Sequence, residues 1–290
     1  MEIPRSATAR RQRVAIGVSG WRHESWRELL EQSGSGLDDI LTTLQWLFEV
    51  IEIADSYYHP PAVATVERWL RGLDQQAAVR FSVKLWQKFV REPGALSSPG
   101  DVRLFKSVLL PLQAANRLAA VVAQFPIAFE ARSKHEAWLA ALYDNFVDYP
   151  LVLELLHPSW QKSAFLRDLC QRGVSIAHLE QPGIAAAFQP HGWSMPVGYL
   201  RCSGDNRVHW FDLNASRDQR FEYFYSDDEI RGLTAKVNAI SNKSLSCYVI
   251  FNNYPKGFAL RNAVQLRQTF TELPVSAPAQ LLHQLVAGTG

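Results

Sequence analysis

The sequence predicts a single α/β domain, a (β/α)8 barrel of the TIM type, on three observations. Short β-branched or apolar runs recur along its 290 residues. Longer stretches with apolar residues at helical spacing separate most of them, the pattern of a parallel sheet built from βα units. Polar residues gather toward the carboxyl ends of the runs, where barrels assemble their sites.

Taken in order, the predicted strands are 14–19, 50–54, 79–85, 118–124, 151–155, 174–178, 197–202 and 246–252. They number eight, which a closed barrel requires. Helices are predicted at 37–48, 61–72, 101–115, 134–146, 163–172, 226–240 and 258–273. Pro61 suits a first helical turn. Ser226 followed by Asp227, Asp228 and Glu229 places an oxygen cap and acidic residues at a positive helix end. The sixth crossover shows no helical pattern, only Pro182, Gly183, Pro190, Gly192 and Pro196, and is expected to be irregular. Residues 208–225 carry Trp210, Phe211, Phe221, Tyr223, Phe224 and Tyr225 and read as a long aromatic loop after the seventh strand, placed to cover a pocket or to pack on the rim. Gly34, Ser35 and Gly36 are too few to be an interdomain linker. The domain therefore runs over 14–273, between a basic arm at 1–13 and a tail at 274–290 with a short helix at 280–286.

Composition narrows the function classes. Apolar residues make up 47% of the chain and charged residues 20%, which supports one large core and excludes a disordered chain. Thirty Lys and Arg against 28 Asp and Glu leave +2, so no strong overall field draws in polyanions or membranes. The basic cluster Arg5, Arg10, Arg11 and Arg13 precedes the first strand and reads as a solvated terminus. Cys170, Cys202 and Cys247 are too widely spaced for a disulfide framework or a zinc motif. With neither a signal peptide nor an apolar run of membrane-spanning length, the expected compartment is the cytoplasm and no membrane partner is expected.

Alternation along strands sorts side chains between the barrel interior and the helix-facing side. In the third strand Ser82 and Lys84 share one face and Phe81, Val83 and Leu85 the other; in the fifth, Glu154 lies between Leu153 and Leu155. The polar face is the inward one. The same rule assigns Ser19, Glu52, Gln124, His178, Arg201 and Asn252 to the interior. Two acids and two bases are charge-balanced, so Glu52 and Glu154 neutralising Lys84 and Arg201 is the structural alternative to a catalytic site. A second concentration, Arg201, Gly204, Asp205, Asn206 and Arg207 with Asn252, Asn253, Lys256 and Gly257, follows the last two strands, where barrels often hold phosphate. Arg201 and Arg207 are its bidentate anion candidates; ordinary turn chemistry is the plainer account of the Asn and Gly residues.

Other motifs fail. There is no dinucleotide fingerprint, no phosphate loop and no helix with metal-spaced histidines. Gly17, Ser19 and Gly20 imitate a nucleophile elbow, but Trp21 stands where the second Gly is needed. No cofactor or metal is predicted; a divalent ion held by His23, His59, His157 or His178 with Glu52 or Glu154 stays open as an alternative.

Several strings share an ordered likeness: Gly17-Val18-Ser19-Gly20-Trp21, Ile51-Glu52-Ile53 with Tyr57-Tyr58, Phe81-Ser82-Val83-Lys84, Gln124-Phe125-Pro126, and Glu154 with His157-Pro158-Ser159-Trp160. Tyr199-Leu200-Arg201 with Gly204 and Phe251-Asn252-Asn253 complete the series. Together they resemble the YecE-like family, the domain of unknown function DUF72, over about 14–273. The resemblance implies a TIM barrel of bacterial, cytosolic type with no assigned activity. It carries Trp21, Glu52, Lys84, Gln124, Glu154, His157, Arg201 and Asn252 into the pocket. Leu156 and Ser203 replace an Arg and a His of the usual family strings, and Ala54-Asp55-Ser56-Tyr57-Tyr58 stands for Asn-Ser-Thr-Phe-Tyr, marking a divergent member.

The leading functional expectation is an enzyme, a hydrolase or lyase, acting on a small anionic substrate at the carboxyl face. Arg201 and Arg207 would hold the phosphate or carboxylate, and Glu154 and Glu52 with Lys84 would supply acid–base chemistry. Two carboxylates would also suit glycoside hydrolysis. The alternatives are a nucleic-acid-binding or repair-type barrel using the basic arm with Trp21, Tyr57 and Tyr58, and a noncatalytic binding protein. Oligomeric state is not legible in the sequence.

Overall fold

A computed structural model describes residues 14–30, 37–92, 94, 96, 98–183 and 195–270. Among the described residues, nine parallel strands form one sheet in the order β6-β5-β4-β3-β2-β1-β9-β8-β7. They are β1 Val14–Ser19, β2 Val50–Ile53, β3 Arg80–Lys84, β4 Leu118–Gln124, β5 Leu151–Glu154, β6 Ser175–Ile176, β7 His178–Glu180, β8 Met195–Cys202 and β9 Ser244–Phe251.

Only Ala177 separates β6 from β7, yet the two stand at opposite ends of the strand order. They are one passage of chain, the predicted sixth strand, whose first half pairs with β5 and whose second half pairs with β8. The Ala177 N–H donates to the Leu153 carbonyl at 2.9 Å, and the Val197 N–H donates to Ser175 Oγ at 2.9 Å. Nine segments thus amount to eight passages in a nearly closed barrel.

Alternation produces two apolar layers. Val50, Ala120, Val122, Val152, Ala177, Leu179, Tyr199 and Ile250 meet inside the barrel. Ile16, Ile51, Phe81, Val121, Leu153 and Val249 face outward and bury against the helices. Gly17 permits the closest strand contact: a Cβ there would stand 1.6 Å from the Val50 carbonyl oxygen.

The outer elements are α1 Glu24–Leu30, α2 Leu37–Leu47, α3 Val63–Gly72, α4 Lys88–Arg91, α5 Pro99–Ala114, α6 Ser133–Phe146, α7 Ser163–Gln171, α8 Arg207–Trp210, α9 Arg217–Phe221, α10 Asp227–Ser241 and α11 Phe258–Gln268. Ser226 caps α10 in a reciprocal capping box with Glu229. Pro61 precedes the N-cap Ala62 and so lies outside the first turn of α3, a correction to the expected role. The expected aromatic loop is also corrected: α8 and α9 occupy it. These two helices, with α1 and α4, are shorter than the window over which helical periodicity can be recognised. The sixth crossover from residue 184 to 194, the arm 1–13 and the tail from 271 onward lie outside the described residues. No helix among the described residues is long and apolar enough to cross a membrane.

Candidate functional site

The inward polar residues form a closed network inside the upper barrel. Arg201, 1% exposed, donates from Nε to Glu154 Oε1 at 2.5 Å, from Nη1 to Glu52 Oε1 at 3.0 Å, and from Nη2 to Glu52 Oε2. Glu52 also accepts from Ser19 Oγ at 2.7 Å and from the Tyr199 hydroxyl at 2.7 Å. Tyr199 in turn lies 3.1 Å from Ser82 Oγ. Lys84 Nζ donates to Gln124 Oε1 at 2.7 Å and stands 5.7 Å from the centre of the Tyr57 ring. One atom is left over: Glu154 Oε2 is buried and has no hydrogen-bond partner among the described residues.

Electrostatics follow from this packing. Burial by itself would raise the Glu52 carboxyl, but the charges of Arg201 and Lys84 and the hydrogen bonds from Arg201 and Ser19 overcome it and hold the group at about 2. Burial lowers Lys84, with Arg201 adding to the effect, and although Glu52 and Glu154 pull the other way the amine sits at about 8. Burial would also lower Arg201, but the two carboxylates keep it protonated.

Above the network opens a cleft of about 1360 Å³ at the carboxyl ends of the strands. Of the predicted residues, Ser19, Trp21, Tyr58, Lys84, Gln124 and Asn252 line it. Trp21 is fixed by an edge contact with Trp69, 5.0 Å between centroids. Lys84 and Gln124 form the floor. The rim also includes His23, expected only as an alternative metal ligand, and Arg217, Asp218 and Tyr254, to which sequence reasoning assigned no site role. His23 stacks on Tyr254 at 4.2 Å and 11°, and burial lowers its pKa against an opposing hydrogen bond to the Ser19 carbonyl. From α9, Arg217 donates Nη1 to the Tyr58 hydroxyl at 3.0 Å and lies 5.8 Å from the Tyr254 ring centre. Asp218 accepts from the Tyr254 hydroxyl at 2.5 Å. The signal for α9 was in the sequence, since Ser216 and Gln219 make the spacing of a capping box, and both of its hydrogen bonds form.

Several expected site residues stand elsewhere. Glu52, Glu154 and Arg201 lie beneath the floor and do not line the cleft, and Arg201 spends its donors on the two acids. Arg207 is 77% exposed at its side chain, pairs with Asp205 at 2.9 Å and does not line the cleft. Asn253 is fully buried and ties the end of β9 to the aromatic segment through the Tyr223 carbonyl, 2.8 Å, and Asn262 Oδ1, 2.9 Å. His157 faces Ser159 Oγ at 2.7 Å and caps the turn Pro158–Trp160, while its neighbour Leu156 lines the cleft. His178 is corrected from the interior: Ala177 and Leu179 on either side of it belong to the inner cluster, so alternation turns it toward the helices. Among the described residues, no group of three or more His, Cys, Asp and Glu side chains could hold a metal, so the alternative histidine–glutamate site is not assembled.

The comparisons with known proteins agree with this architecture. A family model described as protein of unknown function DUF72 matches residues 15–282. The UPF0759 protein YunF of Bacillus subtilis is 24% identical over an alignment of 284 residues that covers 92% of this chain and 99% of that one. A DUF72 family protein from Thermotoga maritima has a TM-score of 0.78 at 25% identity, covering 89% of this chain and 99% of its own. One from Enterococcus faecalis has a TM-score of 0.76 at 22% identity, covering 89% and 95% respectively, a likeness of fold.

Proposed function

Because this chain belongs to the DUF72 family, whose description assigns no activity, we propose a function from its own cleft: it binds and transforms a small anionic molecule at the carboxyl face of the barrel. The observation that carries this proposal is Lys84, a buried cation on the cleft floor whose hydrogen bond goes to a neutral amide. Its charge is therefore available to a phosphate or carboxylate. Arg217 at the rim supplies a second cation, and the aromatic side chains of Trp21, Tyr57 and Tyr58 along the cleft receive the body of the ligand. The anion-holding role moves from Arg201 and Arg207 to Lys84 and Arg217. Beneath them, Arg201 bound by two carboxylates makes a rigid base for the floor, and the charge of Lys84 completes its balance. The net charge of only +2 over the whole chain argues against a polyanion such as nucleic acid.

The test is a thermal-shift screen of phosphorylated and carboxylated metabolites. A ligand at about one hundred times its Kd stabilises the native state by about 2.7 kcal/mol. At least one anion is expected to raise the Tm of the natural chain and to lose that effect in Lys84→Met. A screen in which no anion moves the Tm overturns the proposal.

A further inference from the structure

We propose that Lys84 forms an imine with the carbonyl carbon of an anionic aldehyde or ketone bound in this cleft. The inference rests on the anion-binding function above and names the second chemical feature of the substrate.

Geometry carries it. Lys84 ends β3 with its amine at the floor of an open cleft, 9% exposed. No ion pair among the described residues includes it, whereas Lys88, Lys236 and Lys256 each hold a carboxylate. A proton can leave Lys84 without breaking a direct ion pair, although Glu52 and Glu154 nearby favour the charged form. The neutral amine still donates an N–H to Gln124 Oε1, 2.7 Å away, which fixes the nitrogen and leaves its lone pair free. The Tyr57 ring stands 5.7 Å from the amine on one side. Burial and the neighbouring Arg201 charge favour the unprotonated amine. At an amine value of about 8, the unprotonated fraction at pH 7 is on the order of a hundred times that of an ordinary lysine.

The step balances. The amine lone pair forms the C–N bond, the C–O bond breaks, and two of the three ammonium protons depart with the carbonyl oxygen as water. The resulting iminium keeps the single positive charge that Lys84 carried, so together with Arg201 it still balances Glu52 and Glu154.

The test uses two probes, glyoxylate and neutral glycolaldehyde, each with sodium cyanoborohydride, which delivers hydride to the imine carbon and leaves a stable secondary amine. The natural chain is labelled at pH 7 and mapped by peptide mass spectrometry, so the result does not depend on a variant folding. Glyoxylate is expected to label Lys84 about tenfold or more faster than Lys106 or Lys134, with that label absent from Lys84→Arg. Labelling of Lys84 no faster than of those two lysines overturns the inference, even if anions raise the Tm. Equal labelling of Lys84 by both probes supports the imine while removing the preference for an anion.

Discussion

Replacing Arg201 with methionine takes the cation out of a fully buried cluster of two acids. In the folded protein Glu52 is held at about 2, against an ordinary value of 4.5. At about 1.4 kcal/mol per pH unit, that gap is worth about 3 kcal/mol to the folded state at neutral pH. Arg201→Met forfeits most of this and leaves two buried carboxylates without their main partner, a loss of about 3–5 kcal/mol. The sign of the pH dependence should also reverse. In the natural chain the depressed Glu52 contributes its full stability above 4.5 and loses it as pH falls toward about 2. In the variant burial dominates and raises the carboxyl above its unfolded value, so the folded state binds the extra proton and stability rises as pH falls from 7 toward 5. Urea unfolding followed by tryptophan fluorescence at both pH values reads magnitude and sign. Adding Glu52→Gln leaves Glu154 and Lys84 in balance and should recover part of the loss. An Arg201→Met chain that loses less than about 1 kcal/mol, or that keeps the natural acid profile, refutes the account of the network.

Two further substitutions probe the frame and the rim. Gly17→Ala places a methyl group 1.6 Å from the Val50 carbonyl and should force β1 and β2 apart, seen as loss of the cooperative thermal transition; an unchanged Tm would contradict the register Gly17–Val50. Arg217→Ala removes the hydrogen bond to Tyr58 across the cleft. It should cost about 1 kcal/mol or less of stability while weakening binding of any anion found by thermal shift several-fold, whereas unchanged affinity would remove Arg217 from the ligand site.

Much of the barrel was legible because strand patterning is local. The predicted strands 14–19 and 118–124 match β1 and β4 residue for residue. The inward face of Ser82, Lys84 and Glu154 followed from alternation, and α10 began at Ser226 because a cap depends on three neighbouring residues. His178 failed the same rule because polarity was used to choose the face. There the structure puts Ala177 and Leu179 inside, with an apolar cluster as their neighbours.

The amino-acid sequence alone determined the eight chain passages, their inward polar side chains apart from His178, and the charge balance of Glu52, Lys84, Glu154 and Arg201. Tertiary structure decided which of those groups meets a ligand. Arg201 is consumed by two carboxylates from other strands, leaving Lys84 at the floor. Arg207 points to solvent, while Arg217 reaches Tyr58, 159 positions away along the chain. Periodicity and capping act over a few residues and can be read from them. Desolvation and ion pairing depend on which distant side chains share a cavity, and only the closed barrel brings those together.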